Sequence, residues 1–461
     1  MPTPATRRAA ALPRRARLAY ALYSTAWRIG WPLAMLHLAL RSWRQPAYRA
    51  HWAERFLGRS AARFPTPAPR GTSVFWIHAV SLGETRAAAP LIERLAALDP
   101  EARFVLTHMT PTGRDAGAEI AARLPGRVLQ RYLPYDLPGA VDRFFREARA
   151  SVGVLLETET WPNLLAGARR ARVPVVLVNA RLSARSLERS RRWPTLIRAA
   201  TSQLARVVAQ TTADAQRIRQ LYAGPVDVVG NLKFDLDPAP QQLDRGRAWR
   251  AQAAPRAVWV FANTRDGEEE LLLDAFDAWT AAGPRDVPAG AVQLVVVPRH
   301  PQRFDDVARI IAKRGHVVVR RSDAAAFERP RAPGEIVLGD TMGEMAAYYA
   351  SADVAFVGGS LAPLGGHNLI EACACGCAVV VGRHTFNFAQ ATQDALASGA
   401  AVAVHDAAGV VATMAALSAD RERLAAMRSR ALDFAAAHRG ATARTAAIVR
   451  DVARESAGAA P

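Results

Sequence analysis

Cysteine is almost missing from the 461 residues: Cys373, Cys375 and Cys377 are the only three, at alternate positions of one short stretch. They exclude a disulfide framework. They also make a poor zinc site, because no second Cys/His pair of suitable spacing accompanies them. Lysine is scarcer still, with Lys233 and Lys313 alone, so the 60 Lys+Arg residues are nearly all arginine. No GxGxxG, Walker A loop or HExxH occurs, which removes the usual sequence support for dinucleotide-binding, P-loop NTPase and zincin chemistry. The nearest approach to a DxD metal motif, Asp235-Leu-Asp237, falls in a linker and reads as a turn.

What is present is enough to fill sizeable cores. Hydrophobic residues make up 50% of the chain and charged residues 22%, a balance that leaves little room for long disorder. The length fits two α/β domains of about 200 residues each. A formal net charge of +19 and a pI near 11.0 mark a surface that attracts phosphate, nucleic acid or anionic lipid. Arginine forks suit phosphate, although a genome rich in G and C would produce the same bias.

After Arg7, Arg8, Arg14, Arg15 and Arg17 comes an apolar run over residues 18–40 in which Arg28 is the only charge. The run is long enough to span a bilayer. A central Arg28 costs about 2.5–3.5 kcal/mol there, and Pro32 adds a break. A helix lying in the membrane interface, tryptophans at headgroup depth, accounts for these features better than a span. A cleaved signal peptide competes, but no A-x-A site follows; so does a helix buried in the first domain. The expectation is an anchor over residues 1–45 on the cytoplasmic face of a membrane.

The stretch TPAPR (66–70) reads as a spacer, with folded structure after it. Strand-like runs at 73–80, 103–109, 151–156, 173–180 and 206–211 then alternate with helical stretches, and a second series follows at 257–263, 291–297, 316–320, 354–359 and 378–382. This is the rhythm of parallel, doubly wound sheets. The fold class predicted is α/β: two Rossmann-like domains, 46–236 and 237–461, with a cleft between the carboxyl ends of their sheets. The tail from Ala408 reads as helical.

Two motifs stand where such strands end. In His78-Ala-Val-Ser81-Leu-Gly83-Glu84, Glu84 could accept a proton from an attacking hydroxyl. Ser81-x-x-Glu84 is equally a capping box that needs no substrate. In Gly358-Gly359-Ser360-Leu-Ala-Pro-Leu-Gly365-Gly366-His367-Asn368-Leu-Ile-Glu371, glycines allow close backbone approach and the amides opening the next helix form an anion nest. Glu371 could accept from two vicinal hydroxyls of a ribose, so the loop reads as a nucleotide-sugar site. Arg299 could neutralise a phosphate or a sugar carboxylate, while His300 fits a loop residue as well as a catalytic one. Glu157 and Glu159 follow a strand of the first half, one suited to acceptor hydroxyls and the other to capping.

HAVSLGE (78–84), THMTPTGRDAG (107–117), ETETWPN (157–163), NARLSARS (179–186), GNLKFD (230–235), PRHP (298–301), LGDTMGEM (338–345) and GGSLAPLGGHNLIEA (358–372) together resemble the 3-deoxy-D-manno-octulosonic acid (Kdo) transferases of lipopolysaccharide assembly, over nearly the whole chain. Cys377 and Arg383 stand where that family has prolines. The resemblance implies a GT-B glycosyltransferase with CMP-Kdo as co-substrate, a lipid A precursor (lipid IVA) as acceptor, and no cofactor, metal or nucleic-acid partner. It implies Glu84 as general base of an inverting single displacement. Donor contacts would come from Arg299, His300, Ser360, Gly365, Gly366, His367, Asn368, Glu371 and Asn387. On the acceptor side stand Ser81, Gly83, Glu157 and Glu159, with Arg114, Arg181, Arg185 and Lys233 as phosphate partners. The alternatives are another GT-B nucleotide-sugar enzyme, an epimerase or a transferase with a different donor, and a basic membrane-binding protein without catalysis.

Overall fold

The computed structural model describes residues 13–66, 71–235, 238–283, 289–329 and 331–458. The chain forms two compact units, each built on a seven-stranded parallel sheet. In the first unit β1 (Val74–His78), β2 (Arg103–His108), β3 (Val128–Tyr132), β4 (Val152–Leu156), β5 (Val175–Ala180), β6 (Arg206–Ala209) and β7 (Val226–Val228) lie in the order β3-β2-β1-β4-β5-β6-β7. In the second, β8 (Ala257–Thr264), β9 (Val292–Pro298), β10 (Val317–Arg320), β11 (Glu335–Leu338), β12 (Val354–Val357), β13 (Ala378–Val381) and β14 (Ala401–Ala403) lie in the order β10-β11-β9-β8-β12-β13-β14. Strand order reverses between β1 and β4 in one sheet and between β8 and β12 in the other. The carboxyl ends at such a switch point are where doubly wound sheets hold ligands.

Valine, isoleucine and leucine fill the central strands because helices cover both faces of the sheets. Successive side chains of one strand therefore enter different cores: Trp76 packs with Val105, Phe144 and Leu155, while its neighbours Phe75 and Ile77 pack with Phe104, Leu106 and Val154 on the other face. In the second unit Trp259, Phe261, Leu294 and Phe356 anchor one face.

Three features differ from the sequence expectation. First, the residues before the proline-rich stretch belong to the first unit. Within Ala53–Leu57, Arg55 is buried over the Tyr132 ring at 3.5 Å and donates to the Met109 carbonyl at 3.0 Å, while Glu54 accepts from the Tyr132 amide at 2.8 Å. Second, the first unit runs to Asp235 and resumes at Gly440, so the last helix, Ala441–Gly458, does not stay with the second half. Its Ala446, Val449, Val452 and Ala453 complete the core around Phe75 and Ile77. The Asp235 carboxylate fastens the return by accepting from the Gly440 and Thr442 amides at 2.8 and 2.6 Å. Third, part of the arginine is internal: Arg131 is buried and paired with Glu147 at 2.7 Å.

The helix Arg14–Arg44 presents two apolar faces. One docks on the first unit through Ala16, Tyr20 and Leu38, with Tyr23 donating to Asp136 at 2.9 Å and Ser24 to Asn163 at 2.8 Å. Opposite it, Leu18, Leu22, Ile29, Leu33, Leu36, Leu40 and Trp43 form an exposed stripe, the spacing of one helical face. Ile29 is 74% and Trp43 77% exposed. No described helix is long and apolar enough to cross a membrane.

Candidate active site

At the end of β1 the chain turns into the helix Leu82–Leu98, and Ser81 caps it by accepting from the Glu84 amide. The Glu84 carboxylate is held twice, accepting from the Val80 amide at 2.9 Å and the Ser81 hydroxyl at 3.1 Å. The capping arrangement is therefore real, and it fixes the carboxylate at the switch point. Burial pushes the Glu84 carboxyl above its ordinary pKa, the Val80 N–H draws it back and Glu157 pushes it up again. Beside it, Gly83 has no atom within 4 Å of where a side chain would start, so the helix opening is bare on that side.

A second acidic group follows β4. Glu157, in the left-handed region at φ 59°, is gripped by Lys233 Nζ at 2.6 Å and Arg181 Nε at 3.2 Å. Glu159 has its pKa pushed up to about 7, by burial first and then by the Glu84 charge, with Trp161 as a hydrogen-bond partner pulling down. The structure thus brings Ser81, Gly83, Glu84, Glu157, Glu159, Arg181 and Lys233 into one cluster. Arg185 stands exposed on the first turn of the helix Ala184–Ser190. Arg114 is turned to Glu54 at 3.1 Å and lies 5.0 Å from the Tyr132 ring, which gives it an internal partner instead of the open surface expected of a phosphate contact. Two further histidines at this strand edge, His78 and His108, are buried and kept neutral, with pKa values pushed down to about 3 and 4 chiefly by burial.

In the second unit the glycine-rich loop follows β12. Its opening is not the free anion nest the sequence suggests. The buried Glu268 carboxylate, 1% exposed, accepts from the Gly359 amide at 2.7 Å, the Leu361 amide at 3.1 Å and the Arg265 amide at 3.0 Å. Ser360 is committed in the same way: its hydroxyl donates to the Val357 carbonyl at 2.6 Å and accepts from the Gly382 amide at 2.8 Å. Asn387 braces the loop through the Leu364 carbonyl at 3.0 Å. Gly365 is required there, since at φ 92° a side chain would start 2.3 Å from the Asn387 Nδ2. Asn368 caps the helix Leu369–Ala374 by accepting from the Ile370 amide at 3.1 Å.

Arg299, His367, Asn368 and Glu371 face an open pocket of about 540 Å³ that Asn263, Thr341, Gly343 and Phe388 also line. Glu371 is pushed up by burial and drawn down by Arg299. His367 is held down to about 4, by burial first and then by Arg299, Arg265 and His300, and its buried Nε2 has no hydrogen-bond partner. A cation, a carboxylate and a neutral imidazole thus share one pocket wall. His300 is exposed and outside that lining, and Gly366 sits behind His367, its amide bonded to the Gly359 carbonyl at 2.7 Å. Sequence reasoning missed Glu268 and the Thr341–Gly343 wall. The only signal for the wall was the LGDTMGEM string itself. Among the described residues no cluster of His, Cys, Asp or Glu is arranged to hold a metal ion. Cys373 and Cys377 are buried, and burial pushes the Cys373 and Cys375 thiols up to about 12.

Two seven-stranded doubly wound units of this kind define the GT-B fold, which glycosyltransferases share with nucleotide-sugar epimerases. A family model described as "Glycosyl transferases group 1" matches residues 329–434. The fold also resembles the UDP-GlcNAc 2-epimerase of Neisseria meningitidis, at a TM-score of 0.53 and 13% identity over 83% of this chain and 99% of that one. The model described as "3-Deoxy-D-manno-octulosonic-acid transferase (kdotransferase)" matches residues 50–236. A 3-deoxy-D-manno-octulosonic acid transferase of Bordetella pertussis is 43% identical over 93% of this chain and 98% of its own length, and one of Haemophilus influenzae is 35% identical over 79% and 82%. The chain belongs to the Kdo transferase family.

Proposed function

We propose that the protein moves Kdo from CMP-Kdo to a lipid A precursor at the cytoplasmic face of the inner membrane, by a single inverting displacement with Glu84 as general base. The observation that carries this is the Glu84 carboxylate: two hydrogen bonds fix it at the switch point, and its raised pKa makes it a better proton acceptor than a solvated glutamate. In this reading the acceptor hydroxyl loses its proton to Glu84 as its oxygen attacks the anomeric carbon, and CMP departs from the opposite side. The pocket of Arg299, His367 and Glu371 suits the donor. Arg299 would meet phosphate or sugar carboxylate, Glu371 the ribose hydroxyls, and the charge growing on CMP would be stabilised without a metal ion. Lys233 and Arg181, already beside Glu157, suit an acceptor phosphate. The test is incubation of the purified protein with CMP-Kdo and tetraacyl lipid A precursor. The expected result is acceptor mass increased by Kdo units; no product with fresh donor overturns the assignment of substrates.

We read the exposed stripe of the first helix as its seat in the lipid interface. Arg14, Arg15, Arg17, Arg28 and Arg41 are exposed along the same helix, which carries no acidic residue, so an anionic surface attracts what the apolar residues then hold. Burying an isoleucine or leucine contributes about 1.5–3 kcal/mol. The double variant Ile29→Glu, Leu36→Glu should lower partition onto anionic vesicles at least about a hundredfold, with an unchanged melting temperature. Co-sedimentation equal to wild type would show that the stripe does not touch lipid.

A further inference from the structure

We infer that the first unit holds a pocket for one hydrocarbon chain of the acceptor, an inference that rests on the acylated acceptor proposed above. Behind the helices Ala184–Ser190 and Pro194–Thr201 lies a narrow pocket of about 240 Å³, less than a drug-sized ligand takes. Leu177, Leu204, Val207 and Ile218 form its buried floor. Three of the hydroxyls in its wall are spent on the protein itself. Thr201 donates to the Leu221 carbonyl at 2.7 Å, Tyr222 to the Leu204 carbonyl at 3.2 Å and Ser190 to the Ser186 carbonyl at 2.9 Å. A sugar or nucleotide pressed against the Leu177, Leu204, Val207 and Ile218 floor would lose its water without gaining partners there, whereas a polymethylene chain asks for none.

The mouth is of the opposite character. Glu157 and Arg181 line it, and they are the ion pair, with Lys233, that stands beside Glu84. An amphiphile is the ligand whose two ends match this arrangement: a charged head against the Arg181 and Lys233 cations, a tail on the leucine and valine floor. The approach also fits, because the helix Pro194–Thr201 that walls the pocket packs against the lipid-facing first helix, and Gln203 donates to the Tyr20 hydroxyl. A chain leaving the lipid layer reaches the pocket beside that contact.

The test fills the pocket from its rim with Ser190→Trp and, separately, Ile197→Trp, both positions only partly buried. For wild type and variants, kcat/KM is measured with tetraacyl precursor and with the same sugar phosphate fully deacylated. Since each buried methylene contributes about 0.8 kcal/mol, loss of a few of them should cut the preference for the acylated acceptor about tenfold or more. A second readout does not depend on turnover. Dodecanoic acid carrying a terminal diazirine should label residues between 177 and 222 in the full-length wild type, and Ser190→Trp should lose the label. An unchanged acceptor ratio in folded variants, or labelling elsewhere, overturns the pocket. If wild type labels as expected but uses no acylated glycolipid, the acceptor proposal fails and the hydrocarbon site stands.

Discussion

Replacing Glu84 by glutamine should lower kcat by about 10²–10⁴-fold, the usual contribution of a positioned general base. The KM for CMP-Kdo should stay within about twofold, since the pocket of Arg299, His367 and Glu371 proposed for the donor lies in the other unit. The carboxamide keeps an oxygen for the Val80 amide, so the turn survives and the loss reports proton transfer. The pH dependence gives an independent check. A base works only when deprotonated, and burial with the Glu157 charge raises the Glu84 pKa; wild-type kcat/KM should therefore fall on acidification at a pH above that of an ordinary glutamate. Full turnover by E84Q under conditions where chemistry limits the rate would remove Glu84 from the mechanism.

The second large effect belongs to Glu268, which lines neither of the two pockets described above. Its two oxygens satisfy three backbone N–H groups at the opening of the glycine-rich loop and the turn before it. Alanine there leaves these donors buried and unpaired, at about 1–3 kcal/mol each. Allowing for some relaxation of the loop, E268A should destabilise the second unit by about 3–5 kcal/mol. Hydrogen exchange over residues 357–362 should accelerate accordingly, and CMP binding should weaken because His367 and Glu371 hang from that loop. A variant within about 1 kcal/mol of wild type by denaturant unfolding, with the loop still protected, would show that water replaces the carboxylate.

The contrast between these two glutamates shows what a sequence discloses. Glu84 lies three residues from its cap and a few from the end of a strand that is apolar up to His78, so a local pattern exposes both its place and its chemistry. The partners of Glu268 in the loop lie 91 and 93 residues away, and nothing near it in the chain differs from an ordinary acidic first turn. The same split governs the fold. Long runs of valine, isoleucine and leucine announced the central strands. β7 and β14, with three residues each, are too short for a period to emerge, β11 opens on the charged Glu335, and β3 carries Gln130 and Arg131. The final helix was legible as a helix, but its apolar face names no core: only tertiary packing sends it to the first sheet. Arginine count was likewise a surface argument until Arg55 and Arg131 proved to be interior.

That returning helix also orders events on the ribosome. The second unit has all of its residues once Arg439 has emerged and can close while synthesis continues. The first unit, though translated earlier, must wait with the core around Phe75, Ile77 and Val154 incompletely covered until the closing twenty or so residues arrive. A nascent chain stalled just short of them would hold a finished second unit and an unfinished first one, so this interval is where a chaperone has most to protect.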